Sequence, residues 1–128
     1  MPWNLDSDRP IFIQIIEKIQ MDIISGLYAP GDKLPSVREL AQNASVNPNT
    51  MQKALSELER TGLVYSRRTS GRYITEDAAM ITNLKKTLAK DIVTQFLDNM
   101  QRLGIQDEEV ISLISEIIKG DSHDTVRM

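Results

Sequence analysis

Three stretches in the first half of the chain place apolar residues at three- and four-residue steps, with polar residues between them. This spacing gathers the apolar side chains on one helix face, so each stretch predicts a helix that buries that face. The first helix begins after Pro10 and ends near Gly26, and residues 6–8 (Asp, Ser, Asp) offer caps before it. The apolar positions of the three helices are Phe12, Ile15, Ile16, Ile19, Ile23 and Ile24, then Val37, Leu40 and Ala41, then Met51, Ala54, Leu55 and Leu58.

The second and third helices have clear start signals. Ser36 and Glu39 have the spacing of a capping box, in which hydroxyl and carboxylate each satisfy a backbone amide of the first turn. Asn47 followed by Pro48 is a preferred cap residue and then a proline whose fixed φ suits the first helical position. Gly62 ends the third helix. Two short helices joined so closely favour a helix-turn-helix, whose second helix lies in the DNA major groove.

A basic turn between two short β-prone runs follows the helices. Residues 63–65 form the first run and residues 73–74 the second, which predicts a two-stranded wing. Arg67, Arg68 and Arg72 lie between or within these runs, and because side chains alternate along a strand, all three cannot face a duplex. The favoured DNA contacts of the wing are Arg68, Ser70 and Gly71.

The second half of the chain predicts two more helices. From Asp77 to Leu103 apolar residues again recur at helical spacing, which at ~1.5 Å per residue gives a helix ~40 Å long. Gly104 ends it, and the acidic residues 107–109 begin another helix with charges that favour its dipole. This last helix is apolar on more than one side, so a hairpin with its neighbour leaves one side for a second chain. The predicted dimerisation residues are Leu88, Ile92, Phe96, Met100, Ile111, Ile114 and Ile118.

The predicted fold is therefore mostly α with a small β-wing, a winged helix-turn-helix followed by a two-helix dimerisation hairpin. We expect a DNA-binding domain over residues 1–75, a helical dimerisation region over residues 76–120 and a flexible tail over residues 121–128. The net charge of −3 conceals an uneven distribution, since residues 33–75 hold seven Lys or Arg against three Asp or Glu. That local surplus of positive charge is what phosphates would meet.

The composition argues against several other classes. The absence of cysteine excludes disulfides and thiol catalysis and fits a reducing cytoplasm. The N-terminus has no pattern of an export signal, so we expect a cytoplasmic protein. The single histidine, His123, lies in the polar tail, and no cluster of side chains has metal-ligand spacing. Residues 107–109 are interpreted as a solvated helix start rather than a metal site. We therefore expect neither an enzyme nor a cofactor or metal.

Short sequence motifs in the first 75 residues resemble the DNA-binding domain of the GntR family of transcription regulators. The matching positions are Pro30-Gly31-x-x-Leu34-Pro35-Ser36-x-Arg38-x-Leu40-Ala41, then Val46 and Thr50, then Ala54-Leu55-x-x-Leu58-x-x-x-Gly62-Leu63-Val64. The short two-helix tail is similar to the YtrA-like branch of that family. Two positions depart from the family pattern, Pro48 in place of a basic residue and Thr69 in place of the wing-tip glycine.

The resemblance implies DNA contacts from the helix-turn-helix and the wing, in a homodimer on a palindromic operator. It also implies a repressor, with a transporter operon as a target. Gln52 is the candidate for bidentate contact with adenine, and Lys53 for contact with phosphate. The candidate DNA-binding residues are Ser36, Arg38, Asn47, Asn49, Thr50, Gln52, Lys53, Arg68, Ser70 and Gly71.

Two other functions stay open at this point. The winged helix and the helical hairpin could dock a protein partner instead of DNA, or the chain could bind DNA without sequence preference. An effector is unknown, because two helices cannot enclose a usual ligand pocket of ~300–1,000 Å³ within one chain. A pocket between protomers near Phe96, Met100 and Gly104 is conceivable, but packing is the favoured role of these residues.

Overall fold

The computed structural model describes residues 3–127, with side chains through residue 120. It is mostly helical with a two-stranded wing, which confirms the predicted winged helix-turn-helix followed by two C-terminal helices. The chain divides into two compact units, Met1–Lys85 and Lys86–Met128. The elements are α1 (Ile11–Ile24), α2 (Val37–Ala44), α3 (Pro48–Arg60), β1 (Val64–Arg67), β2 (Gly71–Ile74), α4 (Ala78–Arg102) and α5 (Asp107–Arg127).

Both predicted start signals of the helix-turn-helix are confirmed. The Ser36 hydroxyl accepts a hydrogen bond from the Glu39 N–H at 3.1 Å, and the Glu39 carboxylate accepts one from the Ser36 N–H at 3.3 Å. Asn47 caps α3, with Pro48 in its first turn. Ser45 ends α2 with a φ of 57°, a left-handed conformation that turns the chain toward α3 within three residues.

The predicted cap of α1 is wrong. Pro10 occupies the cap position, and none of residues 6–8 caps the helix through its side chain. The side chain of Gln14 binds the preceding segment instead, donating to the carbonyl oxygens of Asp6 (2.7 Å) and Arg9 (3.0 Å) and accepting from the Asp6 N–H (2.6 Å). Gln14 is only 7% exposed, so these bonds satisfy an amide whose burial without partners would cost ~1–3 kcal/mol.

Helices α1 to α3 and the wing enclose the core of the first unit. Ile15, Ile19, Met51 and Leu55 are at most 1% exposed, which confirms the predicted apolar faces of α1 and α3. Each such side chain contributes about 1.5–3 kcal/mol relative to an exposed one. The residues of α4 that pack against this core are Met80, Ile81 and Leu84. The first turns of α4 therefore belong to the first unit.

The two strands of the wing pair in antiparallel fashion and have different faces. Tyr65 lies opposite Tyr73, and Ser66 lies opposite Arg72. Since side chains alternate along a strand, Ser66 and Arg72 share the face of Ile74, which is fully buried. The two tyrosines lie on the other face, where their rings stack with centroids 5.9 Å apart.

The loop before α2 fixes the second edge of β2. The Leu34 N–H donates to the Arg72 carbonyl oxygen at 2.9 Å, and the Ile74 N–H donates to the Asp32 carbonyl oxygen at 2.8 Å. An isolated bridge between Lys33 and Tyr73 continues this pairing. The wing is thus hydrogen-bonded to the segment that leads directly into α2.

The second unit leaves most of its aliphatic side chains exposed. Ile92, Ile111 and Ile118 are 64%, 64% and 60% exposed, whereas Val110 is 2% exposed. Gly104, with a φ of 80°, follows the end of α4. Helix α5 continues to Arg127. The predicted boundary at residue 120 and the flexible tail after it stay predictions. Among the described helices, none combines the length and the apolar character that crossing a membrane requires.

Candidate nucleic-acid interface

The first turns of α3 present polar groups to solvent, as predicted. Asn49 and Gln52 are exposed, and Thr50 is half-buried. The Asn47 Oδ1 accepts a hydrogen bond from the Asn49 N–H at 2.7 Å, which leaves the side-chain NH2 group of Asn47 free to donate to other partners. Gln52 donates to the Ser56 hydroxyl over 3.4 Å, a long hydrogen bond that leaves both ends of the Gln52 amide available.

Lys53 follows Gln52 on α3, and its ammonium group makes a cation–π contact with an aromatic ring. The Lys53 Nζ is 4.0 Å from the centroid of the Phe12 ring, a cation–π distance that links α3 to α1. The sequence assigns Phe12 to the core, and the structure adds this second role. No sequence signal indicates it, because the two residues are far apart in the chain and the contact depends on how α1 crosses α3. The phosphate contact of Lys53 stays a prediction.

The three arginines of the wing have three different environments. Arg72 donates from Nε to the Glu59 carboxylate at 2.6 Å and is only 17% exposed. The Arg67 guanidinium lies 4.8 Å from the Tyr73 ring centroid and 5.7 Å from the Tyr65 ring centroid. Arg68 lies in the exposed turn, and none of the side chains described through residue 120 offers it an ion pair. Among the described side chains, Arg68 is therefore the wing arginine without either kind of partner, and its contact with DNA stays a prediction.

A groove of about 540 Å³ brings the start of α2 together with the wing tip. Three predicted DNA-contacting residues, Ser36, Ser70 and Gly71, line it. Gly71 has a φ of 112°, and a β-carbon there would approach the Lys33 Cε to 3.3 Å, so glycine suits both the backbone and the space. The sequence predicts these residues from two separate motifs, and the structure places them at one site. That Arg38, Gln52 and Arg68 reach the same duplex stays a prediction.

The carboxylates of this region already have partners. Glu57 accepts from Arg60 at 3.0 and 2.5 Å within α3, Glu59 accepts from Arg72, and Glu39 belongs to the capping box. Through residue 120, the basic side chains of this region without a carboxylate within 4.0 Å are Lys33, Arg38, Lys53, Arg67 and Arg68. The predicted surplus of positive charge is therefore available to an external anion.

These features together define a DNA-binding transcription regulator with a winged helix-turn-helix. Residues 13–74 match the family model described as bacterial regulatory proteins of the gntR family. The chain belongs to the GntR family, which confirms the resemblance of its motifs. The family consists of regulators, in keeping with the expectation that the chain is not an enzyme.

Relatives match nearly the whole chain. The HTH-type transcriptional regulator YhcF of Bacillus subtilis is 40% identical over 94% of this chain and 99% of its own length. The HTH-type transcriptional repressor YtrA of the same organism is 40% identical over 87% of this chain and 86% of its own length. The chain is thus close to the short YtrA and YhcF regulators.

Solved structures agree with this assignment. A GntR family transcriptional regulator from Listeria monocytogenes superposes with a TM-score of 0.82 at 42% identity, covering 88% of this chain and 98% of that one. The AraR DNA-binding domain in complex with operator ORX1 superposes with a TM-score of 0.51 at 30% identity, covering 59% of this chain and 92% of that one.

Proposed function

We propose that the chain is a cytoplasmic repressor that binds a palindromic operator as a homodimer. The observation that carries the proposal is the unequal pairing of charges in the helix-turn-helix and wing. The carboxylates there are engaged in internal bonds, whereas Arg38, Lys53 and Arg68 have no carboxylate partner within the described residues. The similarity to a repressor, YtrA, and to AraR in complex with its operator supports the same function.

On the operator, the residues have two kinds of role. Arg38, Lys53 and Arg68 bind phosphates or, for Arg68, the minor groove, and so fix the register of the protein on the duplex. Asn49, Thr50 and Gln52 read base edges in the major groove, where the Gln52 amide can bind adenine through two hydrogen bonds. Ser36, Asn47, Ser70 and Gly71 complete the surface next to these side chains.

The dimer is proposed from the exposed face of the second unit. Ile92, Ile111, Ile114 and Ile118 are between 40% and 64% exposed, and a monomer in water would gain stability by covering them. Val93 (53%) of α4 and Ile117 (60%) of α5 are further exposed aliphatic side chains beyond the predicted set. A second copy would supply the matching face under twofold symmetry, with the half-sites of the operator ~34 Å apart. The resemblance to the YtrA-like branch implies a transporter operon as the target, and this stays a prediction.

The test compares two arginine variants on duplex DNA from the chain's own promoter region. Arg38→Ala should weaken binding about tenfold, and it should make the negative slope of log affinity against log salt shallower by ~0.9, because one phosphate contact is lost. Arg60→Ala is the matched control, since Arg60 is already bonded to Glu57. Both variants should fold and dimerise as the wild type does.

One result would contradict operator binding itself, and two others would contradict the role given to Arg38. If the wild-type chain shows no saturable, salt-sensitive binding to that DNA, a protein-interaction module becomes the better reading. If Arg38→Ala is unfolded or monomeric, Arg38 has a structural role instead of a DNA contact. Equal losses for Arg38→Ala and Arg60→Ala would indicate a general effect of charge rather than a contact by Arg38.

A further inference from the structure

Glu59, near the C-terminal end of α3, is bonded to the wing rather than to its neighbour on the helix. Its carboxylate accepts a hydrogen bond from the Ser66 hydroxyl of β1 and another from Nε of Arg72 on β2, the latter at 2.6 Å. One carboxylate therefore binds both strands of the wing. Arg60, the adjacent arginine of α3, pairs with Glu57 instead.

This cluster is partly shielded from water. The side chains of Arg72 and Glu59 are 17% and 30% exposed, whereas those of Arg60 and Glu57 are 70% and 38% exposed. Burial by itself raises the pKa of Glu59, but the hydrogen bonds from Ser66 and Arg72 and the charge of Arg72 lower it below its ordinary value. The carboxylate is therefore ionised at neutral pH and holds both donors.

A negative charge on the DNA-binding helix also has an electrostatic cost, because it repels phosphates. Glu59 and Arg72 neutralise each other, so together they add little attraction for DNA. Attraction for DNA therefore does not explain the Glu59–Arg72 pair, whereas its position between two elements does. It joins α3, whose start carries the base-reading amides, to the two strands that carry the Arg68 turn.

We propose that Glu59 is a positioning residue for operator binding: through Ser66 and Arg72 it fixes the wing relative to α3, so that Arg68 reaches the duplex while α3 lies in the major groove. This inference rests on the proposed operator binding and adds to it a residue that does not itself touch DNA. Charge-assisted hydrogen bonds suit such a role, because they are stronger and more directional than neutral ones.

The experiment compares Glu59→Ala with Glu57→Ala in the full-length chain on its own promoter duplex. Both variants remove one negative charge from α3, so electrostatics alone would leave binding unchanged or tighten it in both. Glu59→Ala should instead weaken binding about tenfold, the value of roughly one lost charge-assisted contact, while Glu57→Ala should not weaken it. Glu59→Gln should recover part of the affinity, because its amide oxygen can still accept from Arg72.

A second measurement separates positioning from a general loss of stability. Arg68→Ala should weaken binding in the wild-type background but have little further effect in Glu59→Ala, because the displaced wing no longer brings Arg68 to DNA. Circular dichroism confirms that the compared variants are folded at the assay temperature. If Glu59→Ala does not fold, Glu59→Gln and Ser66→Ala carry the same test, with a smaller expected loss.

The outcomes are distinct. Weaker binding by Glu59→Ala but not by Glu57→Ala, together with loss of the Arg68 effect, supports the inference. Equal or tighter binding by folded Glu59→Ala, or an unchanged Arg68 effect in that background, overturns it while operator binding stands. A wild-type chain that does not bind the duplex overturns both.

Discussion

The two units of the chain differ in how far they bury their apolar side chains. In the first unit, Ile15, Met51 and Leu55 of the helices are buried against one another within a single chain. In the second unit, Ile92, Ile111 and Ile118 occupy similar helical positions but are at least 60% exposed. Helical periodicity is thus equally clear in both units and identifies the apolar face, but it does not say whether the same chain buries that face.

The contrast has a functional meaning. A surface that contacts DNA benefits from side chains that are held in place before binding, and the first unit supplies a filled core and the capped helices α2 and α3. A surface that contacts a second copy of the same chain can leave its apolar residues to be buried in the complex. We therefore expect substitutions in the first unit to affect folding or DNA binding, and those in the second to affect assembly.

The largest expected effect is on the core of the first unit. Leu55→Ala should lower the free energy of unfolding by ~2–5 kcal/mol, because it removes a buried side chain and leaves a cavity. Urea denaturation followed by circular dichroism measures the change. Met21→Ala is the control, since Met21 is 51% exposed on α1 and should change stability by less than ~0.5 kcal/mol. Equal losses for the two variants would contradict the assignment of the core.

The next effect is on assembly by the second unit. Ile118→Asp should raise the dimer dissociation constant about 100-fold, because dimerisation would bury an unpaired charge. Sedimentation velocity at a concentration where the wild type is dimeric measures this change. Ser115→Asp adds the same charge at an exposed polar position of α5 and should have a smaller effect. An unchanged dimer in Ile118→Asp, or a wild type that is monomeric at high concentration, would contradict the proposed interface.

The sequence predicts the features whose partners are close along the chain. The caps at Ser36 and Asn47 are bonded to residues two or three positions away, so short motifs identify them. The bond between Arg72 and Glu59 spans 13 positions and depends on how the wing folds back onto α3. Strand alternation indicates that the three wing arginines cannot all face the same way. Only the structure shows that Arg72 is the one that pairs with Glu59.

Long-range polar contacts explain the other differences from expectation. The segment before α1 is held by Gln14, which the sequence presents only as a polar residue within an apolar helix. Lys53 reaches the Phe12 ring because α1 crosses α3. Each of these contacts follows from tertiary packing, whereas the helices themselves follow from local spacing.

A smaller effect is expected on base preference. The wild type should bind the operator more tightly than a variant operator in which the contacted adenine is replaced. Gln52→Ala should reduce this difference in binding free energy by ~1–3 kcal/mol, because the bidentate contact is lost. Competition binding with a set of single-base operator variants measures this change. Gln101→Ala, an exposed glutamine of α4 in the second unit, is the control. If Gln52→Ala weakens all sequences equally, the helix binds DNA without reading a base at this position.

The smallest expected effect is the pH dependence of the wing attachment. Because the pKa of Glu59 is lowered in the folded chain, its contribution to stability is present above the pKa of an unfolded glutamate, ~4.3, and is lost as pH falls through the folded value. The difference in Tm between wild type and Glu59→Ala should therefore narrow from pH 7 toward pH 3.5. Thermal melts at several pH values measure it, and Glu116→Ala on α5 serves as the control. A difference that widens on acidification would contradict the assignment.

Hydroxyl-radical footprinting of the wild-type chain on its own promoter region tests operator binding by a dimer most directly. We predict two protected half-sites related by twofold symmetry, with centres one DNA turn, ~34 Å, apart. Protection of a single asymmetric site, or uniform protection without any preferred sequence, would contradict it.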